Sequence, residues 1–208
     1  AGTVNLGEYD DFVALGAFCR EQNIWFHVDA AFGFWILLSD KQSYRQLANG
    51  IENACSIALD FHKWMGVPYD CGAFLCYSEN LHKATFSARA SYLASPDKTA
   101  KVVGLAGGDT WFTDYTLEVS RGFKALKVWT TLLAVGTNTF ARVITENCEQ
   151  AAYMGELVQA SNVLELARPV ISNLCCFFIK VPDGSDLVPQ VLAAKLQLAG
   201  IAVFSTTV

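Results

Sequence analysis

The sequence has 208 residues, 52% of them hydrophobic and 17% charged, and a net charge of −5 from 15 basic and 20 acidic side chains. That length can bury a large core, and the apolar fraction excludes a disordered chain. Mild acidity without any run of Lys or Arg excludes nucleic acid as an expected partner.

The stretch from Tyr9 to Gln22 carries Phe12, Val13, Leu15 and Phe18 at helical spacing among polar residues and predicts a helix. Trp25 to Ala31, WFHVDAA, reads as a short buried strand, and the apolar run from Ala30 to Leu38 is far shorter than the about 18 residues that cross a bilayer. Ser56 to Leu59 and Ala73 to Tyr77 are two more short apolar runs, bounded by turn residues such as Pro68 and Gly72. A polar, glycine-containing stretch from Ser95 to Asp109 interrupts the pattern before two long predicted helices, Arg121 to Val135 and Thr139 to Ala160. Cys175 to Val181 and Ile201 to Phe204 are strand candidates around a helix near Leu187 to Leu198. This alternation predicts an α/β fold, a sheet covered by helices, with a smaller α/β unit near the end.

The beginning, AGTVNLGEYDD, lacks the basic start and apolar core of a secretory leader, and no membrane association is expected. Seven cysteines, an odd number without a C-x-x-C pair, form neither a disulfide framework nor a zinc site, so a reducing cytoplasm fits and no metal is expected. Glycine-rich dinucleotide and P-loop motifs are absent.

Two charged residues stand at the ends of apolar strands. Asp29 closes WFHV, and Lys63, set among aromatic residues in LDFHKWMG, lies just beyond SIAL. Ligands of open α/β sheets gather at the carboxyl ends of strands, so the pair is a site candidate. A structural ion pair, or a helix cap at Asp29, accounts for the same spacing.

HVDAA at His27 to Ala31, followed by HKW at His62 to Trp64, resembles the pyridoxal-phosphate-dependent group II amino acid decarboxylases, which include aromatic amino acid, glutamate and diaminobutyrate decarboxylases. GTVN at the start, PYDCG after the lysine, SYL at Ser91 to Leu93 and SRGFKALKVW at Ser120 to Trp129 extend the match, which weakens after about Ala160. The resemblance implies fold type I: residues 1–136 as part of a large cofactor-binding domain with a mainly parallel sheet, and residues 137–208 as a connecting helix and part of a small C-terminal domain. It also implies an internal fragment of a longer chain, with a phosphate-cradling loop and a ring-stacking histidine supplied elsewhere, and a homodimer.

The resemblance gives roles to matching residues. Lys63 holds pyridoxal 5′-phosphate as an internal Schiff base, which removes the need to hydrate a free ammonium. Asp29 pairs with the pyridine nitrogen, so that the ring accepts electrons when the substrate carboxylate leaves. Ala31 lies against one ring face, or is simply a small core residue. His62 approaches the phosphate or is a structural histidine, Thr3 reaches the phenolic oxygen, and His27 packs on the face opposite Val28. Tyr92 protonates the carbanionic carbon after carbon dioxide departs, or is an aromatic packing anchor; relatives with phenylalanine there tend toward aldehydes. Gly122 stands where the family has a second arginine after Arg121. The expected reaction is decarboxylation of an L-amino acid, with an aromatic substrate favoured. The alternatives are another fold type I lyase or aminotransferase, or an inert truncated relative.

Overall fold

A computed structural model describes residues 1–86, 112–180 and 187–207. Helix α1 (Phe12–Glu21) begins three residues later than the apolar pattern predicts, because the Asp11 carboxylate caps it by accepting the Ala14 N–H at 2.9 Å. Its Gly16 faces Asn53, where a Cβ would come within 2.7 Å of the Asn53 side chain, so helix and neighbouring turn approach closely. The chain then enters β1 (His27–Asp29) and passes through three short 3-10 turns and a four-residue helix, α2 (Gln42–Arg45), before β2 (Ser56–Asp60). Strands β1 and β2 are parallel, with Asp29 opposite Ala58, whereas β3 (Gly72–Cys76) runs antiparallel to β2, with Gly72 opposite Asp60. The described sheet, ordered β1-β2-β3, is therefore mixed, and β2 is its centre.

Helix α3 (Glu79–Phe86) comes next, and α4 (Lys124–Val135) and α5 (Thr137–Gln159) are split at Gly136, whose φ of 79° suits glycine. Arg121 does not open α4: Gly122 and Phe123 keep the stretch irregular and Arg121 exposed. Helix α5 buries Phe140, Ile144, Thr145, Cys148, Ala151, Gly155 and Val158, one stripe at three- and four-residue spacing, against the turn at Gly33–Leu38 and against β4 (Leu164–Leu166). A second sheet pairs β4 antiparallel with β5 (Phe177–Ile179), and α6 (Leu187–Leu198) packs on β5. Ile201 to Phe204 is not a strand. Its first amides bond back to Leu196 at the end of α6, and Ile201 and Val203 stay exposed.

Phe12, Val28, Trp35, Ile36, Leu59, Met65, Phe140 and Ile144 form the core between the β1-β2-β3 sheet and α5, each large side chain contributing about 1.5–3 kcal/mol. Two ionisable groups sit in or beside it. Burial pushes the Cys148 thiol up to about 12 and raises the Tyr9 phenol, which donates to the Gly33 carbonyl at 2.9 Å. Above roughly pH 9 the unfolded chain releases these protons while the native chain keeps them, so the native state holds more protons and stability falls as pH rises. In urea melts of the full-length protein between pH 8 and 11, Tyr9→Phe and Cys148→Ala should each flatten that fall. Curves parallel to wild type would dismiss the linkage.

Candidate functional site

Strands β1 and β2 end side by side, so the turns leaving them meet at one edge of the sheet. The β1 burial alternates: Val28 points into the core, while His27 and Asp29 share the opposite, exposed face. A cavity of about 670 Å³ opens at this end, bordered by Asp29, Ala31, Phe32 and Lys63 together with Thr3 and Phe26. The structure thus brings Asp29, Ala31, Lys63, Thr3 and also His27 to one cavity.

Asp29 Oδ1 accepts the Ala31 N–H at 3.0 Å, a local turn that fixes the carboxylate at the strand end. Ala31 lies in that turn, beyond the last residue of β1, and not on the strand. It reaches the cavity because the chain bends at Asp29. Thr3 Oγ1 accepts the Glu8 N–H at 3.1 Å. His27 Nδ1 meets Ser56 Oγ at 2.8 Å, the same hydroxyl that accepts the Trp25 indole N–H at 2.9 Å, and the imidazole stacks on Phe74. Packing of this kind is the expected role of His27.

Lys63 lies in the turn leaving β2, about two-fifths exposed, with Nζ 2.9 Å from Asp60 Oδ2. Its neighbours are tied down on both sides. The Trp64 indole donates to Asn147 Oδ1 of α5 at 3.0 Å and its ring stacks on Phe32 at 5.0 Å. His62 is nearly buried, accepts the Cys71 N–H on Nδ1 at 2.9 Å, and has Nε2 3.9 Å from Asp60 Oδ2. His62 does not border the cavity. Asp70 of the PYDCG stretch pairs with Lys124 of α4 at 2.6 Å, so two separate sequence motifs meet. The contact lowers the Asp70 carboxyl below its ordinary range and raises Lys124. Tyr92 falls outside the described residues.

Asp60 was not among the residues singled out from the sequence. The available signal was a carboxylate three positions before the lysine, LDFHK, whose turn brings the two charges together.

The donor set fits pyridoxal 5′-phosphate. A primary amine and a carboxylate border the same cavity, and both are set in turns held by hydrogen bonds, Asp29 to the Ala31 N–H and Trp64, beside Lys63, to Asn147. The cavity's volume lies within the usual range for small-molecule sites. Among the described residues no cluster of His, Cys, Asp and Glu is arranged to hold a metal, and no helix is long and apolar enough to cross a membrane.

The pyridoxal-dependent decarboxylase conserved domain matches residues 1–180. The chain is 31% identical to L-2,4-diaminobutyrate decarboxylase of Rhizobium meliloti, covering 100% of this chain and 41% of that protein. It is 27% identical to aromatic-L-amino-acid decarboxylase of Bacillus atrophaeus, covering 100% of this chain and 42% of that protein. The crystal structure of mouse CSAD superposes with a TM-score of 0.81 at 26% identity, covering 100% of this chain and 44% of that one. The chain therefore spans about two-fifths of the length of the relatives it matches.

Proposed function

The chain belongs to the pyridoxal-dependent decarboxylase family, whose cofactor is pyridoxal 5′-phosphate, and on that premise we propose that the full-length protein decarboxylates an L-amino acid to its amine. The observation that carries this reading is the convergence of Asp29 and Lys63 on one cavity at the ends of adjacent parallel strands. We assign cofactor attachment to Lys63 and cofactor binding to Asp29, Ala31 and Thr3, whereas His62, expected at the phosphate, stands outside the cavity and holds the turn through Cys71; residues 1–136 are assigned to part of the large domain and 137–208 to a connecting helix and part of the small one.

When bound, the cofactor supplies an electron-accepting ring that stabilises negative charge left as carbon dioxide departs. Lys63 provides the nitrogen that anchors it, and the turn holding Phe61 to Trp64 fixes where that nitrogen emerges. Asp29 keeps one carboxylate oxygen on the Ala31 N–H and presents its charge at the cavity wall, where it would hold a proton on the ring nitrogen of the bound cofactor. Ala31, which borders the cavity, would lie against one face of the bound ring. Tyr92 is proposed as the acid that delivers a proton to the substrate carbon.

An aromatic substrate is favoured, and the relatives' names set the competing choice, L-2,4-diaminobutyrate. The seven thiols are unpaired, which supports a reducing, cytoplasmic setting, and we read the assembly as a homodimer. Full-length protein reconstituted with cofactor should sediment as a dimer and release carbon dioxide and amine from an aromatic L-amino acid faster than from L-2,4-diaminobutyrate. Tyr92→Phe should keep carbon dioxide release but shift product toward aldehyde in air. Transamination without carbon dioxide release would favour the aminotransferase alternative, and unchanged amine yield in the variant would reduce Tyr92 to packing.

A further inference from the structure

Asp60 ends the central strand, and its position is fixed from several directions. Its backbone N–H donates to the Ala31 carbonyl at 3.1 Å and its carbonyl accepts the Trp35 indole N–H at 2.8 Å. Across the ladder stands Gly72, where a Cβ would come within 2.9 Å of Asp60 Oδ1, so the absence of a side chain there leaves room for the carboxylate. That carboxylate is about one-fifth exposed, has Lys63 Nζ at 2.9 Å, and has His62 Nε2 at 3.9 Å. Because His62 Nδ1 accepts the Cys71 N–H, a neutral His62 carries its proton on Nε2, the nitrogen turned toward Asp60.

We propose that Asp60 is a positioning residue that holds the Lys63 ammonium in an ion pair before cofactor attachment and releases it on attachment, with His62 remaining as the carboxylate's partner. The inference rests on Lys63 being the attachment site. In that step the Lys63 nitrogen bonds to the aldehyde carbon of pyridoxal 5′-phosphate, the aldehyde oxygen leaves as water, and the ammonium's surplus proton passes to solvent. The amine adds only as the free base, so the ion pair opens first. Nearby His62 gives the carboxylate a polar neighbour afterward, so the released charge is not abandoned in the interior.

Opening a partly exposed pair of this kind slows attachment by about two- to fivefold. Salt weakens the pair and so removes the delay. The test uses full-length cofactor-free protein, wild type and Asp60→Asn, mixed with pyridoxal 5′-phosphate, quenched at intervals with borohydride and assayed for pyridoxyl on Lys63 by peptide mass. Asn keeps the shape and a hydrogen-bonding oxygen while removing the charge. The expected result is attachment about two- to fivefold faster in Asp60→Asn at low salt, with the two rates converging at about 1 M salt, where the Debye length is about 3 Å. A general folding defect would slow attachment or leave a salt-independent difference, and either result overturns the proposal, as do equal rates at low salt. Should Asp60→Asn fail to fold, Asp60→Ser replaces it in the same assay: faster attachment at low salt that converges with wild type at high salt supports the pair, and no rise with salt in wild type overturns it. Label on a different lysine in both proteins overturns instead the assignment of Lys63.

Discussion

Lys63→Ala in the full-length protein is expected to lower turnover at least about 10³-fold, the scale on which enzymes lose activity when the group that bonds covalently is removed. The effect should be chemical and not a consequence of unfolding. Lys63 is about two-fifths exposed and its ion pair with Asp60 is partly open to solvent. Loss of such a pair costs about 0–1 kcal/mol, and no buried cavity is created, so the urea midpoint should move little. Carbon dioxide release together with the urea melt checks this. A variant with near-normal turnover would remove Lys63 from the reaction, and one that loses turnover only by unfolding would leave its role structural.

Asp29→Asn is expected to lower turnover by about 10²- to 10³-fold, the usual consequence of removing one fixed electrostatic partner from a reacting system. Asn retains an oxygen that accepts the Ala31 N–H, so the turn after β1 survives. The carboxylate charge at the cavity does not. Cofactor binding, read from its visible absorbance, should weaken less than turnover falls. Near-normal turnover in Asp29→Asn would make the carboxylate a structural cap of the turn, the reading that spacing alone leaves open.

The parts of the fold legible in the sequence were those written in local pattern. Phe140, Ile144, Cys148 and Ala151 repeat at helical spacing, and α5 lies there because that stripe covers the core. Asp29 and Lys63 were legible because each follows a short apolar run, WFHV and SIAL, and because HVDAA and HKW together resemble a known family. Ile201 to Phe204 has equal apolar content, but a strand exists only through pairing, and the first amides of this stretch bond back to Leu196 of α6 instead. The partner of Lys63 was equally hidden. Asp60 is three positions away, a spacing that on a straight strand would separate the two side chains; the turn after β2 brings them to 2.9 Å. Long-range ties such as Trp64 to Asn147 and Ser39 to Thr145 depend on how α5 docks, which no local pattern records. The antiparallel direction of β3 also comes from tertiary context, since a short apolar run carries no sign of its direction.

The proposed chemistry depends on Lys63, and the cavity it shares with Asp29, holding the cofactor. Borohydride reduction of the full-length protein loaded with pyridoxal 5′-phosphate, with peptide mass mapping of the product, reads that bond itself. One pyridoxyl group is expected, on the peptide containing Lys63, in near-stoichiometric yield in wild type and on no lysine in Lys63→Ala. Stoichiometric label on any other lysine of the wild-type protein would refute the assignment.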